Sequence, residues 1–247
     1  MSIYGEGAYL DAEGRLDNQE LRDEADLKAQ RFEPLGPDGK ELLPVATPEE
    51  KPLRPTSIYA ITKRDHEEMF LAIGAAYGIP TVALRYFNIY GPRQALSNPY
   101  TGVMAIFSSR ILNGNRPLIF EDGGQTRDFV HVSDIVQANL LALERDEAVG
   151  RVYNVGTGRP TSVRRVAEAL AEQLGFAEAP EVAGRYRAGD IRHCVADVSR
   201  ARRELGYEPR MSLEEGMVDL LAWLRTQRPR DRVADAAREL EARGLTR

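Results

Sequence analysis

Cysteine is almost absent from this sequence of 247 residues, and its one copy is Cys194. A single thiol excludes a disulfide framework within the chain and a zinc site built on cysteines. The histidines, His66, His131 and His193, are scattered along the chain. We therefore predict no bound metal.

The sequence also lacks a long apolar run and an excess of basic residues. No stretch approaches the about 20 apolar residues of a membrane span, and the N-terminus lacks the charged-then-apolar form of a signal peptide. The net charge is -5, without the basic block that is typical of nucleic-acid binding. We expect a soluble, cytoplasmic protein with neither a membrane nor a nucleic acid as partner.

The order of apolar patterns predicts the fold class. A helical pattern over residues 64–77 ends at Gly78-Ile79-Pro80, and the apolar run 81–86 follows as a buried strand. The chain is long enough for one large domain or two small ones. Helix, short turn and strand in this order indicate an α/β protein with a mainly parallel sheet.

Tyr59 and Lys63 are the first candidate site residues. They are four positions apart at the start of that helix, so their side chains share one helix face. A nearby ammonium group favours the phenolate and lowers a tyrosine pKa from its usual value of about 10. Such a phenol can exchange a proton with a sugar hydroxyl. The structural alternative is a surface helix that carries both residues by chance.

The remaining elements are predicted from periodicity and turn residues. Residues 1–7 are interpreted as the end of a strand that runs into a glycine turn. The polar segment 11–51, with a short helix within 18–32, is either a solvated linker or a cover for substrate. Further strands are predicted at 117–120, 126–132 and 151–155, and further helices at 102–113, 135–144, 162–174, 198–205, 213–225 and 231–243.

Gly156-Thr157-Gly158 follows a predicted strand and precedes a helix, which is the position of a dinucleotide-binding turn. The third glycine position holds Thr161, and no acidic residue ends a strand about 20 residues further on. We therefore interpret this turn as a structural one.

Short segments carry a wider resemblance: residues 2–5 (SIYG), 59–63 (YAITK), 84–93 (LRYFNIYGPR), 126–132 (TRDFVHV), 154–158 (NVGTG) and 187–190 (RAGD). In order and spacing they resemble the extended short-chain dehydrogenase/reductase family, and within it the nucleotide-sugar epimerases and dehydratases. The resemblance covers the chain from its first residue to about Pro209.

The resemblance implies an α/β architecture: the C-terminal part of a Rossmann-type parallel sheet domain plus a smaller α/β substrate-binding domain. Residues 1–94 and 126–160 would form the partial NAD-binding domain, with 11–51 as an insertion. Residues 95–125 and 161–247 would form the sugar-nucleotide-binding domain and the C-terminal helices. A homodimer is also implied, with residues 64–77 and 102–113 as candidate interface helices.

The resemblance also implies roles for individual residues. Tyr59 would be the catalytic acid/base, Lys63 would hold the nicotinamide ribose of NAD, and the backbone of Tyr86 and Phe87 would lie against the nicotinamide. The substrate, a dTDP- or UDP-sugar, would contact the following residues: Asn88, Arg127 and Arg187 at the diphosphate, Asp190 at the ribose, and Val103, Leu118 and Phe120 in the same pocket. Arginine forks suit a diphosphate.

The implied reaction is epimerisation at C4 of the sugar through a transient 4-keto intermediate. The alternatives are a nucleotide-sugar dehydratase or reductase of the same fold, or a truncated and inactive remnant that binds sugar nucleotides. The dehydratases of the family carry Asp-Glu where this chain has Met1 and Ser2, which favours the epimerase.

The chain departs from the family at its start. The glycine-rich NAD motif and the catalytic Ser or Thr of the family are absent. We expect a truncated product, or a start assigned too late, that holds half of the NAD site and nearly all of the sugar-nucleotide site. Such a chain would expose an unpaired strand edge and apolar faces.

Overall fold

The computed structural model describes residues 1–17, 21–96, 102–187 and 189–227, together with Arg238 and Ala242. Apart from these last two residues, the helix predicted at 231–243 lies outside the described residues.

Seven α-helices and twelve strands form in the described part of the chain. The helices are α1 (Glu24–Lys28), α2 (Ile58–Tyr77), α3 (Val103–Leu112), α4 (Val132–Glu144), α5 (Val163–Leu174), α6 (Ser199–Leu205) and α7 (Leu213–Leu224). The strands are β1 (Ala8–Leu10), β2 (Leu16–Asp17), β3 (Leu43–Val45), β4 (Ala83–Tyr86), β5 (Asn88–Tyr90), β6 (Leu118–Ile119), β7 (Thr126–Arg127), β8 (Phe129–His131), β9 (Val152–Val155), β10 (Thr161–Ser162), β11 (Glu181–Val182) and β12 (His193–Cys194).

Parallel pairing dominates around the predicted site. β4 pairs in parallel with β9, β5 with β8, β6 with β11, and β7 with β12. Strands that lie far apart in sequence are thus joined through helical crossovers, as in α/β proteins. The predicted α/β class is confirmed, and the carboxyl end of β4 borders the predicted site.

The limits of α2 follow from its sequence. Ser57 caps the helix by accepting a hydrogen bond from the Ala60 amide. Gly78 ends it in the left-handed conformation, with φ of 66°, and its amide binds the Gly74 carbonyl. Only Ala60 and Gly74 are buried among its residues, so α2 packs on the domain along a narrow seam.

Apolar side chains form two main clusters. One is built on α3, α5 and α7, with Tyr90, Ile119 and Phe129 from the strands. The other joins Tyr4, Phe87 and Tyr153 to α4 and α6. Residues 191–207 contribute to this second cluster. The domain boundaries given above stay a prediction.

Residues 1–7 correct a prediction, because Ser2–Tyr4 is a 3-10 helix and not the end of a strand. Its side chains explain the conformation. The Tyr4 hydroxyl donates to Asn154 Oδ1 at 2.6 Å and accepts from Arg85 at 2.7 Å, so this segment is pinned onto the ends of β4 and β9.

The prediction of one continuous strand over residues 126–132 is also wrong. It is broken at Asp128 into β7 and β8, which pair with different neighbours. The helix that follows begins at Val132, earlier than the predicted Ile135. Its cap is His131, whose Nδ1 accepts from the Ser133 amide. An imidazole cap carries no strong sequence signal, because Ser, Thr, Asp and Asn are the usual caps.

The 11–51 segment is packed against the domain and is not a loose excursion. β1 pairs with β2 and β3 in a small antiparallel sheet, and the helix α1 is shorter than predicted. Leu27 and Phe32 are buried against Tyr186, which lies close to the predicted substrate loop.

None of the helices in the described residues combines the length and the apolarity that a bilayer span requires.

Candidate active site

Tyr59 and Lys63 lie together on the first turns of α2. The Lys63 ammonium is 5.5 Å from the centre of the Tyr59 ring. The Tyr59 side chain is largely exposed, at 63%, at the mouth of a first cavity of about 500 Å³ that Lys63 also lines. The predicted pair is therefore present as a geometric unit that faces open space.

The carboxyl end of β4 forms the opposite wall. Tyr86 and Phe87 line both the first cavity and a second cavity of about 360 Å³. The Phe87 amide donates to the Val155 carbonyl at 3.0 Å, and the Tyr86 hydroxyl donates to Asn139 at 2.9 Å. Both residues are thus fixed by β9 and α4, and their backbone is held opposite Tyr59.

A third cavity, of about 180 Å³, continues from the second, and Asn88 and Val103 line both. Its other walls carry the remaining predicted substrate residues: Leu118, Phe120, Arg127, Arg187 and Asp190. Every residue predicted for the site therefore lines one of three cavities that share walls. The order runs from Lys63 at one end to Arg187 at the other.

Three buried polar atoms of the third cavity have no hydrogen-bond partner: Asn88 Oδ1, Gln125 Oε1 and Arg187 Nε. Unpaired buried polar atoms are costly, and their convergence on one cavity points to a polar ligand. Gln125 was missed by the sequence interpretation. Its position in the turn before β7 gives no local signal, and only the fold places it in this wall.

Gln125 has a fixed orientation. Its Nε2 donates to the Phe120 carbonyl at 3.0 Å, and only the amide nitrogen can serve as that donor. The oxygen of the same amide is therefore an acceptor left without a partner. The site thus offers an acceptor that a ligand N–H group would satisfy.

Arg187 and Phe120 stack in the third cavity. The Arg187 guanidinium lies 4.4 Å from the centre of the Phe120 ring, within the range of a cation–π contact. The aromatic face and the guanidinium together suit a flat ring with an anionic tail. This contact brings two predicted substrate residues into direct contact.

Both amino groups of the Arg127 guanidinium donate hydrogen bonds to backbone carbonyls. Nη1 donates to the carbonyls of Thr126 and Arg192, each at 2.9 Å. Nη2 donates to the Ile191 carbonyl and lies 3.5 Å from Asp190 Oδ1. Arg127 therefore fastens the segment that carries Asp190, and its predicted contact with a diphosphate stays a prediction.

The buried carboxylate of Asp128 binds backbone amides of the GTG turn. It accepts from the Thr157 and Gly158 amides at 2.7 and 2.8 Å. Burial raises the pKa of Asp128, while hydrogen bonds from Thr157, Gly158 and Ala196 act in the opposite direction. An internal carboxylate thus occupies the amides of the GTG turn, which supports its interpretation as structural.

Acidic side chains are scarce at the Tyr59 end. Met1 and Ser2 line the first two cavities, where the family's dehydratases carry their Asp-Glu pair. Among the described residues that line these two cavities, Glu67 is the one carboxylate, and it is bound by Arg85 at 2.7 and 2.8 Å. No unpaired acid of the described residues therefore lines these two cavities.

The residues present fit one end of NAD. Lys63 and Tyr59 face the backbone of Tyr86 and Phe87 across the first cavity, a space open enough for a nicotinamide and its ribose. The GTG turn does not fit the diphosphate, because a Cβ at Gly156 would meet Asp128 Oδ2 at 2.5 Å and the turn amides are already bound. The predicted role of these residues at the nicotinamide end of a cofactor stays a prediction.

Residues 36–156 match the model of the NAD dependent epimerase/dehydratase family. The chain is also 36% identical over 223 residues to the dTDP-L-rhamnose 4-epimerase of Burkholderia thailandensis. The aligned region covers 90% of this chain and 60% of the relative. The sequence matches show that residues 36–156 form a domain of the NAD dependent epimerase/dehydratase family.

Solved structures agree with this assignment. The UDP-glucose 4-epimerase of Thermotoga maritima with UDP-glucose is 40% identical and has a TM-score of 0.68, with 74% of this chain and 58% of that chain covered. The UDP-glucuronic acid 4-epimerase of Bacillus cereus with UDP-glucuronic acid and NAD is 29% identical with a TM-score of 0.67, covering 73% and 56%. The chain thus spans less than two thirds of these relatives' length.

Proposed function

We propose that this chain carries the sugar-nucleotide site and the Tyr59–Lys63 pair of an NAD-dependent nucleotide-sugar 4-epimerase. The observation that carries the proposal is the row of three cavities, lined in order by the residues predicted for cofactor and for substrate. The relatives act on dTDP- and UDP-sugars by name, and the same substrate class is proposed here.

The substrate would lie along the row with its nucleotide in the third cavity. The base would stack near Phe120, and Arg187 would turn from the ring to the diphosphate, for which a guanidinium fork is suited. Asn88 sits at the junction of the second and third cavities, where the diphosphate would pass. The sugar would then reach the second cavity beside Tyr59.

NAD, when bound, supplies the hydride acceptor and donor for the C4 carbon. In the proposed reaction Tyr59 takes the proton of the C4 hydroxyl and returns it after the sugar has turned over as a 4-keto intermediate. Lys63, whose ammonium lies 5.5 Å from the centre of the Tyr59 ring, would hold the ribose of the cofactor. General acid–base catalysis of this kind contributes about 10²–10⁴-fold to a rate.

Epimerisation is favoured over dehydration by the positions of Met1 and Ser2. Removal of water needs an acid and a base beside the sugar, and the one carboxylate that lines the first two cavities among the described residues is held by Arg85. A catalytically silent sugar-nucleotide-binding protein is the second candidate. The unpaired polar atoms of the third cavity would serve it equally well.

The experiment combines binding and turnover. Calorimetry with UDP and dTDP tests the third cavity, and interconversion of UDP- and dTDP-hexoses in the presence of NAD tests the reaction. We expect Tyr59→Phe to lower turnover by about 10²–10⁴-fold without changing UDP affinity, because the lost group moves only a proton. Binding without turnover would favour the binding protein, and no nucleotide binding would refute the proposal.

A homodimer and a cytoplasmic location are also proposed. The support for the dimer is the row of exposed apolar side chains on α2, namely Met69, Phe70, Ile73 and Tyr77. The second candidate interface helix, α3, offers little surface to a partner subunit, because most of its residues are buried and several belong to the first apolar cluster. The cytoplasmic location stays a prediction from the sequence.

A further inference from the structure

Arg22 of the 11–51 segment reaches the back of the third cavity. Its side chain is only 3% exposed although the surrounding sequence is polar. Nη2 donates to Glu121 Oε1 at 2.7 Å and to the Asp190 carbonyl at 3.0 Å. Nη1 donates to Glu121 Oε2 and to the Phe32 carbonyl, each at 3.1 Å. A single guanidinium thus joins the 11–51 segment to both sides of the cavity.

Glu121 belongs to the wall that carries Phe120. Glu121 is 1% exposed. Its backbone has φ of 55°, a left-handed conformation that costs a non-glycine residue conformational free energy. The Glu121 amide donates to the Arg185 carbonyl at 2.7 Å. Its carboxylate is held between Arg22 and Arg192, at 2.7 and 3.0 Å. This charge is buried and depends on both arginines.

The opposite wall is the loop with Arg187 and Asp190. The Asp190 carbonyl accepts from Arg22, and the next residues of the loop are held by the same segment. Glu33 Oε1 accepts from Arg192 Nε at 2.9 Å, and Glu33 Oε2 contacts His193 Nε2 at 2.8 Å. The 11–51 segment therefore adds main-chain and side-chain anchors to those that Arg127 gives this loop.

We propose that Arg22 is a positioning residue for nucleotide binding: it holds the Phe120 wall and the Asp190 loop at the separation that a nucleoside diphosphate requires. This inference rests on the proposed function. A preorganised site binds more tightly because less conformational entropy is lost on binding. Without the fork, the buried charge of Glu121 would keep only Arg192 as its partner among the described residues, and the Asp190 carbonyl would lose its bond to the 11–51 segment.

The test measures UDP affinity by calorimetry in Arg22→Gln and Arg22→Lys. The matched control is Arg15→Gln, which removes an arginine of the same segment that is 73% exposed and that pairs, within the described residues, with Asp11 and Glu13. We expect affinity to fall about tenfold or more in Arg22→Gln, less in Arg22→Lys, and within about twofold of the wild type in Arg15→Gln. Fluorescence of the one tryptophan, Trp223, reports whether each variant is folded.

A double-mutant cycle separates positioning from a general loss of stability. Arg187→Gln is measured alone and in the Arg22→Lys background, which keeps the charge and is the safer variant for folding. We expect the loss from Arg187→Gln to be smaller in that background, because Arg187 is then already misplaced. Equal losses, or UDP binding by both Arg22 variants at the level of Arg15→Gln, would overturn this inference alone. A wild type that binds no UDP would overturn the proposed function with it.

Discussion

Asp128 accepts hydrogen bonds from two loops that are distant in sequence. Its Oδ1 binds the Thr157 amide and hydroxyl, both at 2.7 Å, and its Oδ2 binds the amides of Gly158 and Ala196 at 2.8 and 3.2 Å. One buried carboxylate therefore organises the turn after β9 and the chain after β12. The side chain is a structural centre immediately beside the candidate site.

Asp128→Asn is expected to destabilise the protein by about 3 kcal/mol, because the amide NH₂ would face two donors that are left unpaired in a buried place. Urea denaturation measures the change in the free energy of unfolding. The control is Asp65→Asn at an exposed position of α2, which should change stability by less than about 0.5 kcal/mol. Equal effects of the two variants would show that the Asp128 hydrogen bonds contribute little.

Gln125 gives a prediction about the nucleobase. Its free Oε1 is an acceptor, so a base with an N–H at the facing position, such as N3–H of uracil, would be preferred over cytosine, whose N3 is itself an acceptor. We expect tighter binding of UDP than of CDP by about tenfold, and a ratio near one in Gln125→Leu. Calorimetry with the two nucleotides measures this ratio. An unchanged ratio in the variant would remove Gln125 from base recognition.

At the scale of elements, local sequence signals predict the helices well. α2 begins and ends where Ser57 and Gly78 indicate, and α5 begins after Ser162. The predictions fail where contacts between residues that are distant in sequence determine the local conformation. Tyr4 is held by Asn154 and Arg85, and Asp128 breaks a strand in order to bind loops farther along the chain. No periodicity within the segment itself encodes such partners.

The candidate site shows the same division. Residues within the segments that carry the family resemblance, such as Tyr59, Asn88 and Arg187, line the row of cavities, while their predicted roles stay predictions. Gln125 and Arg22 lie outside those segments, in a turn and in a polar stretch without a motif. Their place in the third cavity and behind it depends on tertiary packing alone, so the sequence gives no means to identify them.

The attachment of the 11–51 segment should depend on pH through Glu33. Burial opposes its ionisation, but hydrogen bonds from His193 and Arg192 outweigh burial and lower the pKa of Glu33 from 4.5 to about 2. A depressed carboxyl pKa stabilises the folded state above the unfolded pKa of 4.5, and this contribution is lost as the pH falls from 4.5 toward 2. The segment should therefore loosen in acid.

Glu33→Gln tests this expectation by thermal denaturation across pH. The wild type should have the higher Tm near pH 7, and the difference between the two proteins should shrink as the pH falls below 4.5, the ordinary value of the carboxyl. Glu13→Gln, which removes an exposed carboxylate of the same segment, serves as the control for lost charge. A difference in Tm that does not change with pH would contradict the proposed anchoring by ionised Glu33.

At the scale of the whole molecule, the described surface carries apolar rows on two helices. α2 exposes Met69, Phe70, Ile73 and Tyr77, and α4 exposes a second set: Val136, Leu140 and Leu143. Within the described residues β4 pairs with β9 alone, so its other edge borders the first cavity. Clustered apolar side chains and open strand edges are typical of contact surfaces.

The row on α2 predicts self-association. Met69, Ile73 and Tyr77 recur at helical spacing on the side of α2 that faces away from its buried seam, so two copies could pack these rows together. Ile73→Glu should convert a dimer into a monomer in analytical ultracentrifugation, because a carboxylate would be buried without a partner. The neighbouring Ala72→Glu adds the same charge beside the row, on an exposed position, and should leave the dimer intact. A wild type that sediments as a monomer at every concentration would show that a second copy does not cover this row.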